Sequence, residues 1–298
     1  MKLKYPVLAL ILAVVGCLTS AFAQVDYNFQ TVKYRSNGAT DEFTQLLGIN
    51  NAGIIAGYHG ASINKGFTYD MSTKQFFNEN YPGSAQTQVI GINNLGKTVG
   101  FYITTNGETR GFQHNNGTYF NSNFPGTPFN QLLGQNDQVQ SVGYYSTNTD
   151  GTAPDHAYIY DENAGAFELF VLPNSNGGAQ ATGINNSGQV CGFVIDNKNV
   201  MHGWLEIFGT ITILNYPEST GTQALGLNNK GQVVGSYTDI AGNTHGFVYY
   251  VTTKKWQSVD EPDGLNTTIV NGINDNGVLV GFFGTTPVNT GFIATPQK

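Results

Sequence analysis

Charge is the first thing this 298-residue chain has little of: Asp, Glu, Lys and Arg make up 11%, against a usual quarter. The balance is acidic, with a formal net charge of −7. Such a chain is a poor partner for nucleic acid or an anionic membrane, and no nucleic-acid partner is expected. Cysteine is scarcer still, with Cys17 and Cys191 the only two. No intramolecular disulfide framework can then hold the mature fold. No apolar run is long enough to cross a membrane, and Val7 to Val15 is well short of the required span. No segment keeps a 3.6-residue period, so almost no helix is expected. A Gly-x-Ser-x-Gly elbow, a phosphate-binding glycine loop and a dinucleotide fingerprint are all missing.

The N-terminus carries export chemistry. Lys2 and Lys4 precede the apolar run, and Ala21-Phe22-Ala23 forms a small-x-small cleavage site before Gln24. Residues 1–23 therefore read as a secretory signal peptide, which leaves 24–298 as one domain. A second reading stays open. Val14-Val15-Gly16-Cys17 resembles a lipoprotein box, with Cys17 as the lipid anchor. The expected location is extracellular or periplasmic, free or anchored. Lys2 and Lys4 leave with the signal, so the formal charge falls from −7 to −9.

What is abundant is glycine, 38 residues, together with Asn, Thr, Tyr and Phe. That mixture suits many tight turns between short strands. The glycines are periodic. Gly48-Ile49-Asn50-Asn51-Ala52-Gly53 returns at Gly91, Gly183, Gly226 and Gly272, with a degenerate copy at Gly134 in which Val139 replaces the turn glycine. The six copies lie 43 to 49 residues apart, the period of a four-stranded propeller blade. Within each copy a strand precedes the Asn-Asn-x-Gly turn. A second strand carries Ala56, Val99, Val142, Cys191, Val234 or Val280. A third opens at a Gly/Ala-aromatic pair such as Gly66-Phe67 or Gly203-Trp204, and a fourth runs into a proline such as Pro82 or Pro217. Proline stops a strand because it has no N–H to give the ladder. The last copy lacks its fourth strand, and an extra strand, Phe29 to Tyr34, stands at the N-terminus. The pattern predicts an all-β, six-bladed β-propeller of four-stranded blades, closed by the N-terminal strand pairing with the C-terminal blade. A two-sheet sandwich or a β-helix is the structural alternative.

The repeated Gly-Ile-Asn-Asn-x-Gly phrase, together with His156-Ala157-Tyr158, His202-Gly203-Trp204 and His245-Gly246-Phe247, resembles the HAF family of bacterial extracellular repeats. The resemblance spans residues 29–294. It implies an exported, propeller-like repeat protein and brings no catalytic residues.

One constellation falls out of aligning the copies. Lys65, Arg110, His156, His202, His245 and Thr290 each precede a Gly/Ala-aromatic pair, and five of these six can carry positive charge. Each could bond within its own blade, or the six could form a ring of donors for a carboxylate or a sugar. They are the ligand-binding candidates. No catalytic residue, metal ligand or cofactor is assigned. The three histidines lie on different copies without His-x-His or Glu-x-x-His spacing, which argues against zinc. Asp150-Gly151 lacks the ligand count of a calcium loop. The recurring Asn50, Asn93, Asn136, Asn185, Asn228 and Asn274 are explained by turn chemistry, and Cys191 stands at a core position. Tyr58, Phe101, Tyr144, Phe193 and Phe282 read as packing between blades. Tyr102, Tyr145 and Tyr237, one step further, read as core or as a surface for sugar stacking.

The function these features favour is a non-enzymatic binding scaffold for polysaccharide or an extracellular protein. An extracellular glycan hydrolase or lyase is the alternative, and a purely structural surface protein is another. Paired carboxylates at a hydrolase's separation cannot be placed from the sequence.

Overall fold

A computed structural model describes residues 24–297, apart from 37, 38, 42, 174 and 176. The proposed signal peptide and Cys17 lie outside the described residues. The first repeat shows the building unit. Thr44–Ile49, Ile54–His59, Lys65–Asp70 and Gln75–Asn78 pair antiparallel in chain order. Repeats follow one another around a ring, with each first strand on the axis. The ring closes as the termini require. Tyr27–Val32 pairs antiparallel with Thr290–Pro296, which continues through Leu279–Phe283 to Ile269–Ile273.

The expected six separate four-stranded blades need correction. Among the described residues, hydrogen bonding yields four separate four-stranded sheets, one eight-stranded sheet and a two-stranded ribbon, Arg35–Ser36 with Ala39–Thr40. The eight-stranded sheet holds the second and third repeats. They fuse where Thr109 of one pairs in parallel with Phe129 of the next. The cause is local: parallel bridges also join Phe43 to Asn289, Asp155 to Gly178 and Thr244 to Thr267, but in each of those at least one partner stands outside the strands. Among the described residues, only at Thr109 do the strands on both sides reach the bridge and become continuous.

Packing explains the recurring residue types. The aromatic of each third-strand pair, Phe67, Phe112, Tyr158, Trp204, Phe247 or Phe292, is fully buried. Each such ring contributes roughly 2–3 kcal/mol of burial. Neighbouring repeats are also latched. The backbone N–H of Tyr34, Tyr81, Tyr216 and Glu261 donates to the hydroxyl of Thr44, Thr87, Thr222 and Thr268 at 2.9–3.0 Å, and Phe124 uses Asn130 in the same way. The tyrosines join this seam. Tyr81 stacks on Tyr102 at 3.7 Å and Tyr216 on Tyr237 at 3.6 Å, so Tyr102 and Tyr237 pack between repeats.

Candidate functional site: a well on the ring axis

Every first strand breaks register at the same place, for example between Leu46 and Gly48 and between Val270 and Gly272. A bulge leaves one residue per strand outside the ladder and turns it. Those residues are Leu47, Ile90, Leu133, Thr182, Leu225 and Asn271, and all six line a cavity of about 320 Å3 on the axis.

The glycine after each bulge sets how tightly the strands converge. A Cβ on Gly48 would lie 2.7 Å from the Ile90 carbonyl oxygen and 3.1 Å from Gly91 Cα. The same approach to the next repeat's glycine recurs around the ring. Glycine is thus required here by contact between backbones.

Below the glycines the axis is closed by asparagine. Asn50 donates from Nδ2 to the Asn93 carbonyl, and the relay continues through Asn136, Asn185, Asn228 and Asn274 back to Asn50, at 3.0–3.1 Å throughout. Each Oδ1 meanwhile accepts backbone N–H groups of its own turn, as Asn93 does from Leu95 and Lys97. A second ring surrounds the first. The backbone N–H groups of Asn51, Asn94, Asp137, Asn186, Asn229 and Asp275 each donate to the next side chain at 2.7–2.9 Å. Turn chemistry alone would account for the Oδ1 bonds; the Nδ2 bonds between repeats make these residues the clasp of the ring. A pocket of only about 60 Å3 remains at this end.

The wall toward the open end carries Gln45, Gln88, Gln131 and Gln180. Three of these amides are fixed: Gln45 donates to Asn289 Oδ1, Gln88 to Asn64 Oδ1 and Gln180 to Asp155 Oδ2, at 2.7–3.1 Å. Burial pushes the Asp155 carboxyl up to about 6, against the downward pull of the Gln180 bond. Tyr58, Phe101, Phe193 and Phe282 also line the well. The expectation that they pack between repeats is therefore incomplete, since the tyrosines one step further fill that role.

The six candidates from the sequence sit elsewhere. Registers place Lys65 opposite His59 and His59 opposite Thr44, with equivalent pairings for Arg110, His156, His202 and His245. They share the height of the well's mouth but stand two strands out, roughly 10 Å from the axial strands. None lines the well. Arg110 donates to the Thr127 carbonyl at 2.9 Å and pairs with Glu108 at 3.1 Å. His202 bonds Asn215 and Asp196, and His245 bonds Asp260 and Asp239. His156 is exposed and stacks on Tyr145, Lys65 is half-buried, and Thr290 is buried. Burial lowers the His245 pKa, but the carboxylates of Asp260 and Asp239 outweigh it, and the net shift is upward. Shallow clefts border two of the candidates, Arg110 with residues 123–128 and His202 with residues 215–221.

The glutamines and bulge residues of the well are not among the sequence candidates, whereas Tyr58, Phe101, Phe193 and Phe282 are singled out there for packing. The signal was present, because Gln45, Gln88, Gln131, Gln180 and Gln223 each stand three residues before the repeat glycine. What it could not provide was the bulge, which turns the residue between into the axis.

No protein-family model matches the chain, and no curated protein matches it. Solved structures resemble it in fold. A mutant of Aleuria aurantia lectin in complex with Fucα1-6GlcNAc aligns at TM-score 0.53 and 9% identity, over 87% of this chain and 96% of that one. TolB from Acinetobacter baumannii aligns at 0.54 and 12%, over 88% of this chain and 66% of TolB. A chain of a nidogen/laminin complex aligns at 0.52 and 12%, over 85% and 96%. At these identities the likeness defines the class, an all-β propeller, and the fold hosts many functions. Among the described residues, no helix is long and apolar enough to cross a membrane.

Proposed function

We propose that this protein is a non-enzymatic glycan-binding propeller that works outside the cytoplasm and takes its ligand in the axial well. One observation carries the reading: the well combines fixed neutral amides with aliphatic and aromatic walls, and among the described residues its lining holds no charged side chain. Sugars present hydroxyls at their edges and C–H groups on their faces, so they need both kinds of wall. Among the described residues, the one acid bonded to a lining side chain is Asp155, whereas glycoside hydrolysis uses two carboxyls at a set separation. The Fucα1-6GlcNAc bound by the Aleuria aurantia lectin mutant is compatible with this reading.

The outer clefts at Arg110 and His202 are the competing location, and one experiment separates the two. The purified protein is run in affinity electrophoresis through neutral and acidic polysaccharides, beside a well-filling Leu133→Trp variant and a His156/His202/His245→Ala variant. Retention lost in Leu133→Trp alone supports the well. Retention lost in the histidine variant alone moves the site to the outer ring. No retention on any polysaccharide rejects the glycan reading and leaves a protein partner or a structural role.

A further inference from the structure

The ring of bulge residues is asymmetric. Leu47, Ile90, Leu133 and Leu225 are aliphatic, while the fourth and sixth repeats place Thr182 and Asn271 there. The Thr182 hydroxyl is consumed in the wall, donating to the Ala224 carbonyl at 2.9 Å and lying 3.2 Å from the Cys191 carbonyl oxygen. Asn271 is different. Its Oδ1 is buried and, among the described residues, has no hydrogen-bond partner. An amide oxygen left so costs about 1–3 kcal/mol, and such groups are rare without a reason. A leucine, as in the first, third and fifth repeats, would carry no such cost.

We infer that Asn271 makes the well selective for a neutral 2-acetamido sugar at the end of a glycan. The inference rests on the well being the glycan site. Three features converge on that ligand class. An acetamido group is itself an amide, so it can pair with the Asn271 amide once rotation brings the buried Oδ1 round to the well. Rotation of the Asn271 amide exchanges its donor and acceptor, so the pairing can form in either sense. The acetamido methyl group suits the aliphatic ring of Leu47, Ile90, Leu133 and Leu225. Above that ring, Gln45, Gln88 and Gln180 each give one N–H to Asn289, Asn64 and Asp155. Each amide also carries a carbonyl oxygen and a second N–H, which suit sugar hydroxyls, and among the described residues the lining holds no cation to balance a ligand carboxylate. A volume of about 320 Å3 lies at the small end of ligand pockets, which fits one sugar ring rather than a chain segment.

The test is calorimetric titration of the full-length protein with N-acetylglucosamine, N-acetylgalactosamine, glucose, galactose and glucuronic acid. The expected result is that an acetamido sugar binds at least about tenfold tighter than its parent hexose, as one good amide pair supplies. Asn271→Leu, which restores the residue of the first, third and fifth repeats, should keep hexose binding and abolish that preference. Equal binding of acetamido sugar and hexose by the unaltered protein overturns the inference but leaves the glycan reading standing. An undiminished preference in a folded Asn271→Leu variant overturns the role of Asn271. Should that variant not fold, the ratio measured on the unaltered protein still decides. Failure of every sugar to bind, with Leu133→Trp behaving identically, is the separate signature of a wrong glycan reading.

Discussion

Replacing Val139 by glycine should stabilise the protein. Five of the six axial turns place glycine at φ between 72° and 81°, as at Gly53 and Gly231, while the third repeat puts Val139 there at φ 58°. The turn is otherwise the same, with Val139 N–H donating to the Asn136 carbonyl at 3.2 Å as Gly96 N–H does to Asn93 at 3.1 Å. A β-branched side chain in the left-handed region costs about 3 kcal/mol, the upper part of the range for such strain. Glycine relieves it but loses about 1 kcal/mol through its freer unfolded chain. Losing the half-buried valine side chain costs about 1 kcal/mol more. The net gain is about 1 kcal/mol, or about 2–4 °C in Tm for a domain of this size. Gly96→Val is the reciprocal perturbation. A Cβ there meets nothing within 4 Å, so its penalty comes from the backbone alone, about 2 kcal/mol. Urea unfolding and calorimetry of both variants give the answer. A lower Tm for Val139→Gly, or a neutral Gly96→Val, would refute the account of strain in this turn.

Other perturbations probe the ring and its seam. Asn93→Ala removes bonds to Asn136, Gln135, Leu95 and Lys97, and a loss of about 3 kcal/mol in urea unfolding is expected; a loss below 0.5 kcal/mol, about the range of an ordinary surface change, would mean the clasp is dispensable. Gly48→Ala should cost about 2 kcal/mol in urea unfolding by pressing on the Ile90 carbonyl, whereas Gly221→Ala, whose Cβ would meet only the Met201 carbonyl oxygen at 3.9 Å, should stay within about 0.5 kcal/mol. The raised pKa of His245 makes its ion pairs stabilising below the unfolded value near 6.5, an effect lost as pH rises through the higher folded value. Stability measured at pH 5.5 and 8.5 should therefore differ less in His245→Asn than in the unaltered protein, and an equal difference would count against the Asp239–His245–Asp260 cluster.

The repeats, their strand content and the closure by the termini were legible from one sequence, because each rests on local chemistry. Asn-Asn-x-Gly fixes a turn, proline ends a strand, and a strand missing at one end is found at the other. The third-strand aromatics were legible as repeated positions for the same reason. The partition into sheets was not, since one parallel bridge at Thr109 decides whether two repeats stay separate.

The sequence by itself determined the repeat, the all-β class and the positions that recur, because these depend on turn geometry, strand alternation and proline's missing N–H. Only the tertiary structure decided which recurring residues face the axis. A bulge of one residue turns Leu47 and Asn271 into the well, and convergence of the first strands brings Asn50 within reach of Asn93, 43 positions away in the chain. It also set Lys65, Arg110 and the three histidines two strands out. Periodicity records that positions are equivalent, but distance from the axis is fixed by how strands fan outward, which no spacing along the chain encodes.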